Sequence, residues 1–200
     1  MTSAARTNPG PLARATQAVI AVAAVVDVFR AVALRDHRLH PSDASLQRSG
    51  TVSNVFVYLM TLAIVLFLVW LARSRRTAQE RSPAATLPSP GWTVGAWFVP
   101  VVNLIVPRRF VLDIGRADPS WSKRDATLVN LWWTAWIGHG LVLTVTAEVA
   151  AGSMAALVAA EALMIAAAVL VGLVIERVTA TQGAGLTAPA APLPQPDPRP

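Results

Sequence analysis

Apolar residues in this chain gather into four long stretches separated by polar, proline-bearing segments, and that pattern predicts helices able to cross a bilayer. Residues 55–72 are eighteen consecutive positions without a charge, about 27 Å of helix at ~1.5 Å per residue, which matches a hydrocarbon core. Residues 16–34 are equally apolar apart from Asp27 and Arg30. Residues 127–147 and 154–175, joined by a short connection holding Gly152 and Ser153, complete four spans. A secretory signal with cleavage near Ala31-Val32-Ala33 is the rival reading of the first stretch, and the charges of Asp27 and Arg30 inside it argue against that. The expected organisation is a flexible tail over 1–15, a membrane domain over 16–176, and a disordered Pro/Ala-rich tail over 177–200.

Between the second and third spans the pattern changes. The apolar run from Gly91 to Pro107 is short for a crossing, and Pro100 interrupts it. It is expected to be re-entrant or interfacial, with Trp92 and Trp97 at the headgroup level and Asn103 satisfying carbonyls freed by Pro100 or Pro107. Gly91 and Gly95 are read as turn or close-packing positions. Pro107 then suits the first turn of a short amphipathic helix running to Ala117. Phe110, Val111 and Ile114 lie on one side of it, with Arg109, Asp113 and Arg116 on the other. The segment 91–117 is thus one interfacial unit, and Ser122-x-x-Asp125 resembles a capping box opening the third span.

Composition strengthens this picture. Of the 200 residues 54% are hydrophobic and only 14% charged, against roughly a quarter charged in soluble domains, so a water-soluble enzyme is excluded. The chain has no cysteine, which removes disulfides and thiolate chemistry. Its net charge of +6 is read as a membrane-orientation signal and not as a nucleic-acid footprint. Arg73, Arg75, Arg76, Arg81, Arg108, Arg109, Arg116, Lys123 and Arg124 all lie between spans two and three, whereas the 35–53 loop carries only Arg35, Arg38 and Arg48. The expected topology puts both termini and this basic segment in the cytoplasm of a cell-membrane protein.

Trp70-Leu71-x-Arg73, the run Ser89-Pro90-Gly91-Trp92-x-x-Gly95-x-Trp97-Phe98-x-Pro100-Val101-Val102-Asn103-Leu104-x-x-Pro107, Asp113-x-x-Arg116-Ala117 and Trp132-Trp133 carry a resemblance. Over about 16–176 the chain resembles an actinobacterial family of multi-pass membrane proteins catalogued as domain of unknown function 4328. Ile105 and Gly115 stand where the family pattern often has aromatic residues. The resemblance implies four spans and no established activity, and it supplies no catalytic residues.

Charges at membrane depth are costly, ~2.5–3.5 kcal/mol each by insertion scales, so Asp27, Arg30, His139 and Glu161 require partners. His139 and Glu161 are each eleven residues from Ala150; an antiparallel hairpin sets them at one depth, where they are expected to meet. Asp27 shares a helical face with the small residues Ala23, Ala24 and Ala31, and Glu161 with Ile165, Ala168 and Gly172, of which Ala168-x-x-x-Gly172 is a small-residue pair that lets helices approach. The group reads either as a lock on helix register or as a proton or ion relay. Outside the spans, His37-x-x-His40 lacks further converging ligands, so no metal site is assigned. No cofactor is expected either, since neither a nucleophile–base pair nor a phosphate-cradling loop occurs.

The leading functional expectation is therefore a non-enzymatic scaffold or partner-binding membrane protein. Its basic face, Arg73, Arg75, Arg76, Arg108, Arg109 and Arg116, would meet anionic headgroups and a membrane or cytoplasmic protein partner, and small-residue faces would allow homo-oligomers. The alternative is a small transporter or channel moving protons or cations through the Asp27, His139 and Glu161 cluster.

Overall fold

The structure is a computed structural model that describes the backbone of residues 10–149 and 153–187 and the side chains of 10–145 and 153–183. Among the described residues it is all helical, and four of its helices are long and apolar enough to cross a membrane. Helices α1 (Gly10–Leu39) and α2 (Asp43–Arg81) form one hairpin, and α6 (Lys123–Val149) and α7 (Met154–Thr187) a second. Between them run α3 (Pro90–Gly95), a 3₁₀ turn (Ala96–Phe98), α4 (Pro100–Asn103) and α5 (Val106–Arg116).

The helices outrun the apolar stretches that announce them. Helix α1 already begins at Gly10 and α7 continues to Thr187, so residues 10–15 and 177–187 are helical where flexible tails were expected; the rest of both tails lies outside the described residues. Polar tethers between helix ends explain the difference. Arg14 pairs with Glu176 at 3.1 Å, and Gln17 donates to the Gly172 carbonyl at 2.8 Å. Arg81 donates to the carbonyls of Thr181 and Gln182, while the Gln182 amide donates to the Ser74 carbonyl at 2.9 Å. Hydropathy is blind to such bonds. The 35–53 loop likewise shrinks to a turn before Asp43, because Ser42 accepts from the Ser45 N–H and Ser45 accepts from the Ser42 N–H in a reciprocal cap.

These tethers establish a basic end of the bundle, where the start of α1 and the ends of α2 and α7 meet. The opposite end carries the turn between α1 and α2, with the start of α7. Helix α1 runs antiparallel to α7 and packs along it. At the basic end the core is aromatic: Phe67 of α2 packs on Trp70 of its own helix and on Trp132 of α6, which in turn packs on Trp133, with Trp70, Trp132 and Trp133 all buried.

The middle segment leaves and rejoins the basic end. The Ser82 hydroxyl donates to the Ala117 carbonyl at 2.7 Å, closing its neck, and Arg75 Nε donates to the Pro88 carbonyl at 2.8 Å. Between these points Trp97 stands 5.2 Å from the Phe67 ring and 6.1 Å from that of Trp133, edge-on as aromatic quadrupoles favour. Trp97 is thus a wedge between α2 and α6. Trp133 Nε1 donates to the Leu104 carbonyl at 3.0 Å, a group the break between α4 and α5 leaves outside any helix. The Asn103 amide nitrogen, the atom that could donate to the freed carbonyls, makes no hydrogen bond among the described residues, and its Oδ1 is buried without a partner. A Cβ at Gly91 or Gly95 would meet nothing within 4 Å, so close packing does not require glycine there. Phe98, Val101, Leu104 and Ile105 are left exposed around the wedge.

Candidate functional site

Two groups of side chains remain as candidates, one at each level of the bundle. The first is the intramembrane cluster. Asp27 is fully buried on the small-residue face of α1, beside buried Ala23, Ala24 and Ala31. Its Oδ1 accepts from Arg30, 2.7 Å from Nε and 2.6 Å from Nη2, and three-residue spacing places the two side chains together on one helical face. The guanidinium also lies 4.5 Å above the Phe56 ring centre on α2, a cation–π contact that holds Arg30 against the neighbouring helix.

Glu161 is 8% exposed on α7, within electrostatic reach of Asp27 and Arg30. The expected His139–Glu161 bond does not form among the described residues. His139 Nδ1 lies 2.9 Å from the Ala160 carbonyl oxygen, one residue short of Glu161; a carbonyl only accepts, so that nitrogen carries the proton. Equal distance from the hairpin turn sets the two side chains at similar depth, but it does not set their azimuth around the helices. Glu161 Oε2 and Asp27 Oδ2 are both buried without a partner. The small-residue reading of α7 also needs correction. Ile165 is half exposed, and a Cβ on Gly172 would meet nothing within 4 Å, so Gly172 contributes its carbonyl to Gln17 and not a steric gap.

Below this cluster lies a cavity of about 110 Å³, almost wholly apolar, with Ile20, Met60, Phe67, Trp97, Trp136 and Met164 among its lining. The aromatic group of Phe67, Trp97, Trp132 and Trp133 stands between it and the basic end.

The second candidate is the basic end itself. Helix α5 buries Phe110, Val111, Leu112 and Ile114, and turns Arg109, Asp113 and Arg116 the other way, as its amphipathic pattern requires. Arg116 pairs with Asp113 at 3.5 Å; burial pushes the Asp113 carboxyl above its ordinary value, with Arg116 and Arg109 opposing. Gly115 is the tightest of the described glycines: an added Cβ would lie 2.6 Å from three atoms of the Trp121 indole, so the ring of Trp121 fills the space a side chain there would need. The capping box at α6 is present, with Ser122 N–H donating to Asp125 at 2.8 Å and Asp125 N–H to the Ser122 hydroxyl at 3.3 Å.

The six arginines of the expected basic face divide by role. Arg75 is held by Pro88, and Arg108 by the Asn130 amide oxygen at 2.7 Å. Arg73, Arg76 and Arg109 are exposed and make no hydrogen bond or ion pair among the described residues, as do the neighbouring Lys123 and Arg124. Sequence reasoning did not single out Arg177, which grips Asp125 at 2.9 Å and the Ser120 carbonyl at 3.0 Å. Nor did it find Gln17; both partners are more than fifty residues away, and no local pattern signals them.

A family model described as Domain of unknown function (DUF4328) matches residues 30–180, a range that includes the middle segment and Arg30, His139 and Glu161, while Asp27 and the start of α1 lie before it. No curated protein and no solved structure matches the chain.

Proposed function

The chain belongs to the family described as Domain of unknown function (DUF4328), and from that premise we propose that it is a non-enzymatic, multi-pass cell-membrane protein that binds anionic lipid and a protein partner through its basic end. Both termini and the basic end face the cytoplasm, in keeping with the excess of Lys and Arg there. The middle segment is re-entrant: it dips as far as Phe67 and Trp133 and returns, with Phe98, Val101, Leu104 and Ile105 turned to acyl chains.

One observation carries this reading. Arg73 and Arg76 on α2 and Arg109 on α5 are exposed and make no hydrogen bond or ion pair among the described residues, while Arg75 and Arg108 are spent on internal bonds. Arginines near an anionic leaflet each contribute roughly 1 kcal/mol of attraction. Reconstitution into nanodiscs tests it. Thermal stability should rise when phosphatidylglycerol replaces phosphatidylcholine, and the rise should vanish at high salt or on changing Arg73, Arg76, Arg109 and Arg116 together to Gln. A gain undiminished in the fourfold variant refutes the lipid part. Unchanged crosslinked partners in cell membranes refute the protein part.

A second reading has its own observation, since Glu161 lines a cavity at the hairpin end close to the Asp27–Arg30 pair. In this reading the cluster transfers protons or cations. Liposomes carrying a pH-sensitive dye under a membrane potential decide it: flux lost on changing Asp27, His139 and Glu161 supports transport, and flux equal to protein-free vesicles rejects it.

A further inference from the structure

At the hairpin end, α1, α6 and α7 enclose a cavity of about 170 Å³ whose polar lining is Arg30, Arg35, Arg38, Ser153 and Glu161. That far exceeds the ~10–15 Å³ that a single water requires. Its remaining walls, Leu34, Leu143 and Leu157 among them, are apolar. Two of the chain's buried polar atoms without a partner belong to this lining, Arg35 Nε and Glu161 Oε2, and a third, Asp27 Oδ2, sits behind Arg30. Buried orphans are few in native proteins, because each leaves its desolvation uncompensated. Their convergence on one cavity marks an incomplete set of bonds.

The charges are arranged in two opposed groups. Arg30 is occupied by Asp27 and the Phe56 ring, which leaves Arg35 and Arg38 on α1, without an ion pair among the described residues, facing Glu161 on α7. A simple anion would be drawn to the guanidiniums and repelled by the carboxylate; a simple cation would meet the reverse. A molecule of both signs satisfies all three, with N–H donors on Glu161 and acceptor oxygens on the arginine forks. The apolar walls suit a short alkyl spacer between its poles.

We propose that this cavity binds a zwitterionic group in which a primary ammonium is joined by a short spacer to a phosphate or carboxylate, the ammonium on Glu161 and the anion on Arg35 and Arg38. Either a phosphatidylethanolamine headgroup or a free zwitterion presents that chemistry. The site is independent of the basic end and of whether any ion crosses the bundle.

Binding is tested on the purified full chain in detergent, by native mass spectrometry and thermal shift, with four probes: phosphatidylethanolamine, phosphatidylglycerol, phosphatidylcholine and soluble O-phosphoethanolamine. The ethanolamine probes should bind about tenfold or more tightly than phosphatidylglycerol, which lacks the ammonium, or phosphatidylcholine, whose ammonium has no N–H. Glu161→Gln should remove that preference, and Arg35→Gln with Arg38→Gln should weaken both ethanolamine probes by a similar factor. Retention of the lipid alone identifies a headgroup site; retention of O-phosphoethanolamine identifies a solute site. Should the double variant fail to fold, Arg38→Gln alone, at an exposed position, replaces it. Failure of both ethanolamine probes to bind, equal binding of phosphatidylglycerol, or affinity indifferent to Glu161→Gln overturns the proposal. Loss of the lipid response at the basic end leaves these outcomes untouched, so the two readings fail separately.

Discussion

At the scale of single residues, the chain concentrates its sensitivity in a few side chains that no solvent screens. Asp27 is fully buried and is the carboxylate that balances Arg30. Removing one partner of a buried ion pair strands the other, which costs about 3–5 kcal/mol. Asp27→Ala should therefore lower the midpoint of thermal unfolding strongly, whereas Asp27→Ala combined with Arg30→Met should recover much of the loss. Gly115→Ala tests a steric limit, because its Cβ would press into the Trp121 indole at 2.6 Å. Overpacking of this kind costs roughly 1–3 kcal/mol. Changing Trp121 to Leu in the Gly115→Ala background should relieve it, measured by the same unfolding transition.

At the scale of elements, the middle segment is held by few bonds, and each has a distinct role. The Trp133 indole N–H is the donor to the Leu104 carbonyl, and the ring also stacks edge-on with Trp97. Trp133→Phe keeps an aromatic ring and deletes the donor, leaving an orphaned carbonyl at about 1–3 kcal/mol. Amide hydrogen exchange over residues 96–105 should accelerate selectively, with α1 and α7 unchanged. The ends of α2 and α7 depend on Arg81 and Gln182 in a comparable way. Arg81→Ala should fray α7 beyond about residue 177, read out as faster exchange there, because the last turns of that helix lean on α2.

At the scale of the whole molecule, two hairpins meet along α1 and α7 and are plugged at the basic end by aromatic rings from α2, α6 and the middle segment. Native cysteine is absent, so single cysteines report topology without background. With the basic end in the cytoplasm, Arg38→Cys should react with a membrane-impermeant maleimide in intact cells and Arg76→Cys only after permeabilisation. The opposite pattern would invert the proposed orientation. Phe98→Cys, near the wedge, should resist the reagent from either side if the segment is buried in acyl chains.

The sequence by itself determined the elements that depend on local composition. Four apolar stretches, the proline break near Pro100, the amphipathic face of α5 and the cap at Ser122 are legible because solvent transfer, ring geometry and side-chain capping act over a few residues. The intramembrane pair Asp27–Arg30 was legible for the same reason, being three residues apart on one helix. Tertiary structure decided the rest. It extended α1 and α7 past their apolar limits through Gln17, Arg81 and Gln182, turned Trp97 inward, gave His139 to a backbone carbonyl, and brought Arg35 and Arg38 opposite Glu161. Each of these depends on the azimuth of one helix against another, which packing sets and which the hydropathy of either helix alone does not contain.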